Sequence, residues 1–549
     1  LKNACRLLGG LPVLLAVLLG LAASAPGPKP GLVPAQSQSG TPPRLRWSDP
    51  YGTQAEAITA NGDDAWVSVM GDGSGAVLVP SGRAFPVSRS PAAAERRACV
   101  PTALRWSHPK PGLPWADVVV AAAMRSDGRP GASTMLTRPR ADHGRLPVVS
   151  LVAADDDLFS GPRGLLVPGE TMLEPPPALA SAYARDPVFW KYPGNYHQRG
   201  KAWERRALVQ LLGKDGEPRW TAPAAIRING QQTRGLAQHA LRAVFDAPLT
   251  DTLFGAGSSG LAAIIIRAAG NDQIKAMMRD AYQHRLCASL PFDTSPAVSC
   301  VLYINGAYWG VHHLRPRLDH KEIARRIGAR PKDITIVEDR GIIYRGRPEG
   351  AQELLRVIRA AEAASANDST ALEALERELD VEEFLTYMAA QMILGNMDWP
   401  HQNIRFWRHE RPGKGRGDGR WRMAMGDSDL GFGAVAPPSD DLFRRVAPKD
   451  TPAARLLMAV LRWPGMRERF DRTVLGLLDG PLGSRACLEE LDRLAALLEP
   501  EMERHTARWR KPADGAAWRQ EVEVVRRYAM ERERHVRGQL GQRQNPSPR

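Results

Sequence analysis

The stretch that decides the fold is Asn396-Met397-Asp398-Trp399-Pro400-His401-Gln402-Asn403. Upstream, Asp380-Val381-Glu382-Glu383 reads as a capping-box-like helix start, because a short acidic side chain can accept from the free N–H groups of a first turn. Phe384, Met388 and Met392 recur every fourth position, which lines them on one helical face, and Gly395 stands where a helix ends in the left-handed conformation. Downstream, residues 404–407 read as a strand, and a polar, glycine-rich loop follows over 412–419. Trp421, Met423 and Met425 then alternate with Arg422 and Ala424, a second strand running into Gly426-Asp427-Ser428-Asp429-Leu430-Gly431-Phe432-Gly433. The order is helix, loop with Asp398 and Asn403, hairpin, acidic turn.

This order resembles the protein-kinase catalytic lobe. There a loop Asp accepts the substrate hydroxyl's proton, an Asn five positions on holds magnesium, and an Asp beyond the next hairpin holds the metals that bridge the phosphates. The chemistry asks for these types: magnesium takes hard oxygen ligands, and a nucleophilic hydroxyl needs a carboxylate within hydrogen-bond reach. An Asp and an Asn that only satisfy loop backbone would show the same spacing. The flanking elements give it weight.

Working outward, residues 264–267 read as a buried strand and 274–290 as a helix. Residues 299–304 and 307–315 form a hairpin about Asn305-Gly306, a pair that tolerates positive φ. Residues 353–366 read as a further helix. Residues 146–151 read as a strand before an acidic turn, Asp155-Asp156-Asp157, and 203–211 and 225–230 as two more strands. Between 45 and 140 the pattern is short apolar runs (66–70, 75–79, 118–124) broken by turns, which predicts a small β-sandwich. Its 118–139 segment resembles the closing hairpin of immunoglobulin-like accessory domains.

Lys plus Arg number 74 against 60 Asp plus Glu, a net charge of +14. The excess is spread along the chain, and zinc-finger, basic-zipper and ribonucleoprotein motifs are lacking, so nucleic acid is not an expected partner. Lys2 and Arg6 precede the apolar run 7–21, and Ala23-Ser24-Ala25 follows, the layout of a secretory leader. Pro26 after Ala25 is a poor cleavage context, so an uncleaved membrane anchor is the alternative. Either reading expects an exported protein of the periplasm, cell envelope or exterior. Of five cysteines, Cys287 and Cys300 are spaced for a disulfide or for two small buried residues. The expected division is leader or anchor 1–25, a Pro/Gly/Ser-rich linker 26–44, a β-sandwich 45–142, a kinase-like core 146–440 and a helical part 441–549.

Several ordered motifs, NMDWPHQN (396–403), RWRMAMGDSDLGFG (420–433), LPVVSLVAADDDLFSGPRGLLVPG (146–169), IRINGQQTRG (226–235), IIIRAAGNDQ (264–273) and VLYINGAYWGVHHLRPRLD (301–319), resemble the bacterial spore-coat kinase (CotH) family over about 146–540. The resemblance implies an α+β, atypical protein-kinase-like two-lobed fold, ATP with magnesium or manganese, and a secreted or envelope protein as substrate. It implies Asp398 as catalytic residue, Asn403 and Asp427 as metal ligands with Asp429 in reserve, and Arg242 and Arg267 as nucleotide-phosphate contacts, since an Arg fork matches phosphate oxygens. Two departures stand out. The family's Lys-rich stretch is Ala237-Gln238-His239-Ala240 here, and its usual Glu is Pro316. Both partners of one ion pair are gone, with Arg242, Arg315 or Arg317 as candidate substitutes. A non-catalytic pseudokinase scaffold of the envelope or coat is therefore the alternative function.

Overall fold

The computed structural model describes residues 40–48, 54–69, 76–86, 114–173, 175–186, 192–255, 257–338 and 341–544. The leader, the linker as far as residue 39, and Cys99 lie outside the described residues. The fold is α+β.

Strands β1 (Arg44–Trp47), β2 (Gln54–Ile58), β3 (Ala65–Val69), β4 (Val77–Val79), β5 (Ala84–Pro86), β6 (Ala116–Met124) and β7 (Pro130–Pro139) pair as two sheets, in orders β1-β2-β5 and β4-β3-β6-β7. Ala55, Ala57, Val67, Phe85, Val119 and Ala121 fill the space between them. The other face of β6 and β7 packs on the next unit, through Val118, Val120 and Met135. Thr137 Oγ1 donates to Ser150 Oγ at 2.8 Å and Gln210 Nε2 to the Met135 carbonyl at 2.6 Å.

That unit is a closed barrel of β8 (Val148–Ala153), β9 (Arg205–Leu212), β10 (Pro218–Asn229), β11 (Ala240–Leu249), β12 (Leu261–Arg267), β13 (Val298–Ile304) and β14 (Ala307–Pro316), in the order β10-β11-β12-β14-β13-β8-β9. Alternation decides the two faces. Val149, Leu151, Val209, Leu211, Ile226, Ile264, Ile266 and Leu302 fill the interior. Val148, Val152, Leu208 and Leu212 face outward against the accessory sheet, so β8 is buried along its whole length. The turn between β13 and β14 has φ 47° at Asn305 and 79° at Gly306, as the Asn-Gly pair predicts. The Asn305 amide brackets Ala153, accepting from its N–H at 3.0 Å and donating to its carbonyl at 2.9 Å.

Two expectations need correction. The helix expected from 274 begins only at Arg279, as α1 (Arg279–Leu286). Met277 takes φ 65°, and the Asp272 carboxylate accepts from the N–H groups of Met278 (2.8 Å) and Arg279 (2.9 Å), which sets the start there. The acidic turn at 155–157 is the first turn of a short helix, Asp155–Phe159, where carboxylates suit the N-terminal dipole. Cys287 and Cys300 are free and buried.

After the barrel, α2 (His320–Ile327) leads to a second four-stranded sheet of β15 (Ile334–Glu338), β16 (Ile342–Arg345), β17 (Ile404–His409) and β18 (Arg422–Met425), in the order β16-β15-β17-β18. Helices α3 (Gly350–Ala363), α4 (Ser369–Glu378) and α5 (Val381–Leu394) lie between β16 and β17. Asp380 caps α5 through the Glu383 N–H at 3.0 Å, and Gly395 ends it at φ 67°. The C-terminal part is helical: α6 (Pro452–Val460), α7 (Met466–Asp479), α8 (Ser484–Trp509) and α9 (Gly515–Gln544). Helix α8 returns to the barrel. His505 Nδ1 accepts from the Val311 N–H at 3.1 Å, and Trp509 Nε1 donates to the Trp309 carbonyl at 3.0 Å. Glu501 takes His143 Nδ1 at 2.9 Å and the Tyr308 hydroxyl at 2.7 Å. Among the described residues no helix is long and apolar enough to cross a membrane.

Candidate functional site

The end of β12, the loop after α5 and the turn after β18 converge. Asp398 and Asn403 lie between α5 and β17, and Asn403 Nδ2 donates to Asp398 Oδ2 at 3.3 Å. Asn403 has φ 63°, a left-handed conformation that Asn tolerates better than most residues. Gly426 backs directly onto it. A Cβ there would press on the Asn403 carbonyl and come within 2.9 Å of its Cα. Gly426→Ala is therefore expected to displace Asn403 by a few tenths of an ångström or more, and a catalytic role for Asn403 would then cost about 10- to 100-fold in turnover, because catalysis is that sensitive to placement. The thermal unfolding midpoint should move far less. Unaltered turnover in a folded Gly426→Ala protein would remove Asn403 from the site.

Asp427 and Asp429 differ in their surroundings. Asp427 is partly open, at 29% side-chain exposure. Its Oδ1 accepts from Arg267 Nη2 at 2.5 Å and from the Asp429 N–H at 3.2 Å, whereas its Oδ2 has no hydrogen bond among the described residues. Asp429 is 2% exposed. Its Oδ2 accepts from the Asn271 N–H (2.7 Å) and Arg267 (3.2 Å), and its Oδ1 from Asn271 Nδ2 (3.3 Å). Both Asp429 oxygens are thus engaged in holding the 270–273 turn. Gly270 permits this approach, since a Cβ there would overlap the Asp429 carboxylate.

The residue that spacing did not expose is Asp280, on α1. Its Oδ2 binds Arg267 Nε at 3.3 Å and pairs with Arg315 Nη1, and its Oδ1 accepts from the Ser428 N–H at 3.1 Å. Arg315 is completed by Ser295, through Oγ at 3.1 Å and the carbonyl at 3.2 Å. Burial works against the Asp280 charge, yet Arg267 and Arg315 hold its carboxyl well below the usual range. This buried Arg267–Asp280–Arg315 group stands beside the acidic turn, and the residues at the family's Lys and Glu positions add no charge to it. Gln238 instead donates to the Val311 carbonyl at 2.9 Å, and His239 is buried against the Tyr196 ring. The only signal in the sequence for Asp280 was an ionised pair, Arg279-Asp280, inside an otherwise buried helix.

Of the sequence-predicted residues, Asp398, Asn403, Asp427, Asp429 and Arg267 are gathered here. Arg242 has no contact with these carboxylates and stands on the neighbouring strand β11. Burial and then the Asp427 charge raise the Asp398 carboxyl above its ordinary value, and the same two causes raise Asp429 well above it. Carboxylates crowded against their own charge suit a cation. No group of three or more His, Cys, Asp or Glu residues poised for metal occurs among the described residues. The oxygens fitted to a hard divalent ion are a carboxylate and an amide, Asp427 Oδ2 and the Asn403 carbonyl oxygen, with the Asp398 carboxylate beside them.

The family model described as CotH kinase protein matches residues 226–536, more than half of the 549 residues. The chain belongs to the CotH family. Within the matched span lie β11 to β18, α1 to α8 and every residue of the convergent site. At family level this is a kinase-type, spore-coat-related protein. Comparison with curated proteins gave no match.

Proposed function

We propose that this CotH-family protein is an exported, metal-dependent phosphotransferase that moves the γ-phosphate of ATP to a hydroxyl of a secreted or envelope protein. The barrel and the helical part act as the two lobes of an atypical kinase, and the N-terminal sheets serve as an immunoglobulin-like accessory module. The observation that carries the reading is the meeting of Asp398, Asn403 and Asp427 at one edge, beside Arg267.

Asp427 and Asn403 would hold magnesium or manganese, which when bound neutralises phosphate charge. Asp398 accepts the acceptor hydroxyl's proton as its oxygen bonds to the γ-phosphorus and the bond to ADP breaks. Asp280 positions Arg267, whose free edge stabilises charge on the transferred group. The test is intact-mass spectrometry of the purified chain with ATP, either metal and a Ser-rich acceptor. A metal-dependent gain of one phosphoryl group, lost in Asp427→Ala, supports the reading.

One observation favours a second reading, a non-catalytic pseudokinase scaffold. Asp427 already holds a cation of its own in Arg267, and Gln238 and His239 supply no charge to the site. Folded protein that transfers nothing with either metal would select it.

A further inference from the structure

The second sheet carries the reaction centre at one end. Ile404 opens β17 directly after Asn403, and its partner Met425 ends β18 just before Gly426 and Asp427. One step along, Arg405 faces Glu338 on β15, and Glu338 faces Ile342 on β16. Ile342 therefore stands at the same end of the sheet as Asn403 and Asp427, two strands from β17. With ~4.8 Å between strands and ~3.3 Å per residue, it lies about 12 Å from Asn403.

The two edges of this sheet differ. At β18 the backbone of Asp293 fills the edge, donating to the Met423 carbonyl at 3.0 Å and accepting from the Met425 N–H at 2.7 Å. Strand β16 has β15 on one side and no strand among the described residues on the other. Its side chains hold it rigid all the same. Ile343 packs on the main core, the guanidinium groups of Arg345 and Arg405 lie over the Tyr344 ring, 4.6 and 4.8 Å from its centroid, and the Tyr344 hydroxyl accepts from Arg317 Nη2 at 2.8 Å. Ile342 is 64% exposed. Arg345 is exposed too, and unlike Arg347, which meets Glu353 and Glu410 at 2.9 Å, it has no carboxylate partner among the described residues. Open edges recruit further strands, and proteins commonly guard them with charge or cover. Here the position closest to the reaction-centre end is a bare isoleucine.

We propose that the β16 edge docks the acceptor protein as an added strand, with an apolar residue against Ile342 and an acidic residue against Arg345. The identity of the occupant rests on the phosphotransferase reading. A hydroxyl that reaches Asp398 is carried by a chain, and β16 is the open edge of the sheet that bears Asn403 and Asp427. Backbone pairing supplies affinity there, and the two side chains supply selectivity. An antiparallel partner, the more stable pairing, runs toward the reaction centre in its own N-to-C direction. Its residue opposite Arg345 precedes the one opposite Ile342 by three. One strand spacing further out, that apolar residue is about 16 Å from Asn403, so the acceptor hydroxyl follows it by about five extended residues. The substrate class is a Ser- or Thr-bearing segment with acidic, apolar and hydroxyl residues in that order.

Fluorescence anisotropy without ATP or metal tests it, using a dye-labelled ten-residue peptide that carries Glu, Val three residues later and, five beyond that, Ala in place of the acceptor Ser. Wild-type protein should bind it. Ile342→Asp should weaken binding at least tenfold. Arg345→Glu should weaken it severalfold, and a peptide with Lys for Glu should restore binding to that variant. With the Ser peptide, ATP and metal, Ile342→Asp should raise KM at least tenfold and leave kcat unchanged, because Ile342 does not touch the reacting atoms. No binding to wild type, equal affinity in folded Ile342→Asp, or transfer at the same KM to a Ser peptide lacking the Val would overturn the docking edge. So would a dimer in sedimentation that Ile342→Asp disperses, since a second copy would then be the occupant. Peptide held through Ile342 with no transfer under either metal would keep the edge and remove the enzyme reading alone.

Discussion

Asp398→Asn is expected to lower the rate of phosphoryl transfer by about 10²- to 10⁴-fold, the usual worth of a positioned general base, while metal–nucleotide affinity stays within a few-fold of wild type. The two acidic positions differ in role, and this separates them. Asp427 has an unengaged Oδ2, so under the proposed function its loss would remove a ligand and affect binding. Asp398 is hydrogen-bonded by Asn403 at 3.3 Å, and burial together with the Asp427 charge raises its proton affinity. A carboxyl so adjusted takes a proton more readily than an ordinary Asp. The same shift places the acid limb of the pH–rate profile above the ordinary Asp range, because the base works only when ionised. Stopped-flow transfer rates beside equilibrium nucleotide titrations read out the split. Asp398→Asn with an unchanged transfer rate would show that the loop Asp is structural and move the base elsewhere.

Stability should collapse on mild acidification. Five histidines are buried and held neutral: His239, His284 and His505 are pushed down to about 3, and His312 and His313 to about 4. Burial is the first cause in each case. The fixed hydrogen bonds of His284 show what neutrality means: Nε2 donates to the Gly426 carbonyl at 3.0 Å while Nδ1 accepts from the Ser295 N–H at 3.1 Å. The unfolded chain protonates these rings near pH 6.5, and the folded chain does not. Between those limits the unfolded state binds more protons, so stability falls as pH falls, by about 1.4 kcal/mol per pH unit per ring. At pH 5 that is about 2 kcal/mol for a ring that stays neutral, and the five rings act in the same direction. Asp398 and Asp429, with raised affinities, titrate with the opposite sign and trim the slope. Thermal melts from pH 7.5 to 5.0 should show a steep loss, lessened in His239→Phe. A midpoint unchanged across that range would mean that the rings charge in place.

Local signals were legible wherever the chemistry was local. Asn305-Gly306 demanded positive φ and became the turn between β13 and β14. Asp380 and Gly395 bounded α5, and the loop–hairpin–acidic-turn order located the convergent carboxylates. What escaped is what depends on distant partners. The parallel pairing of β8 with β13 joins segments about 150 residues apart and leaves no periodic trace. Asp280, in a largely buried helix, has a role only because β12 and β14 bring Arg267 and Arg315 to it. The start of α1 was misplaced because the Asp272 carboxylate overrides helical periodicity from six residues away. The absent Lys and Glu were visible in the sequence, but the buried Arg–Asp–Arg group beside the acidic turn was not.

The return of α8 to the barrel bears on how the chain is made. His143 meets Glu501 across 358 residues, so at ~5–20 residues per second the ribosome delivers the second partner roughly 20–70 s after the first. Once β14 has been made, it lacks the cover of His505 and Trp509 until a further ~190 residues follow, and the Trp309 and Val311 backbone groups they satisfy stay open. The barrel's strands are all made by residue 316, but its cover is completed only once residues 501–509 have been added. A nascent chain halted before residue 501 would present a barrel with β14 uncovered to quality control.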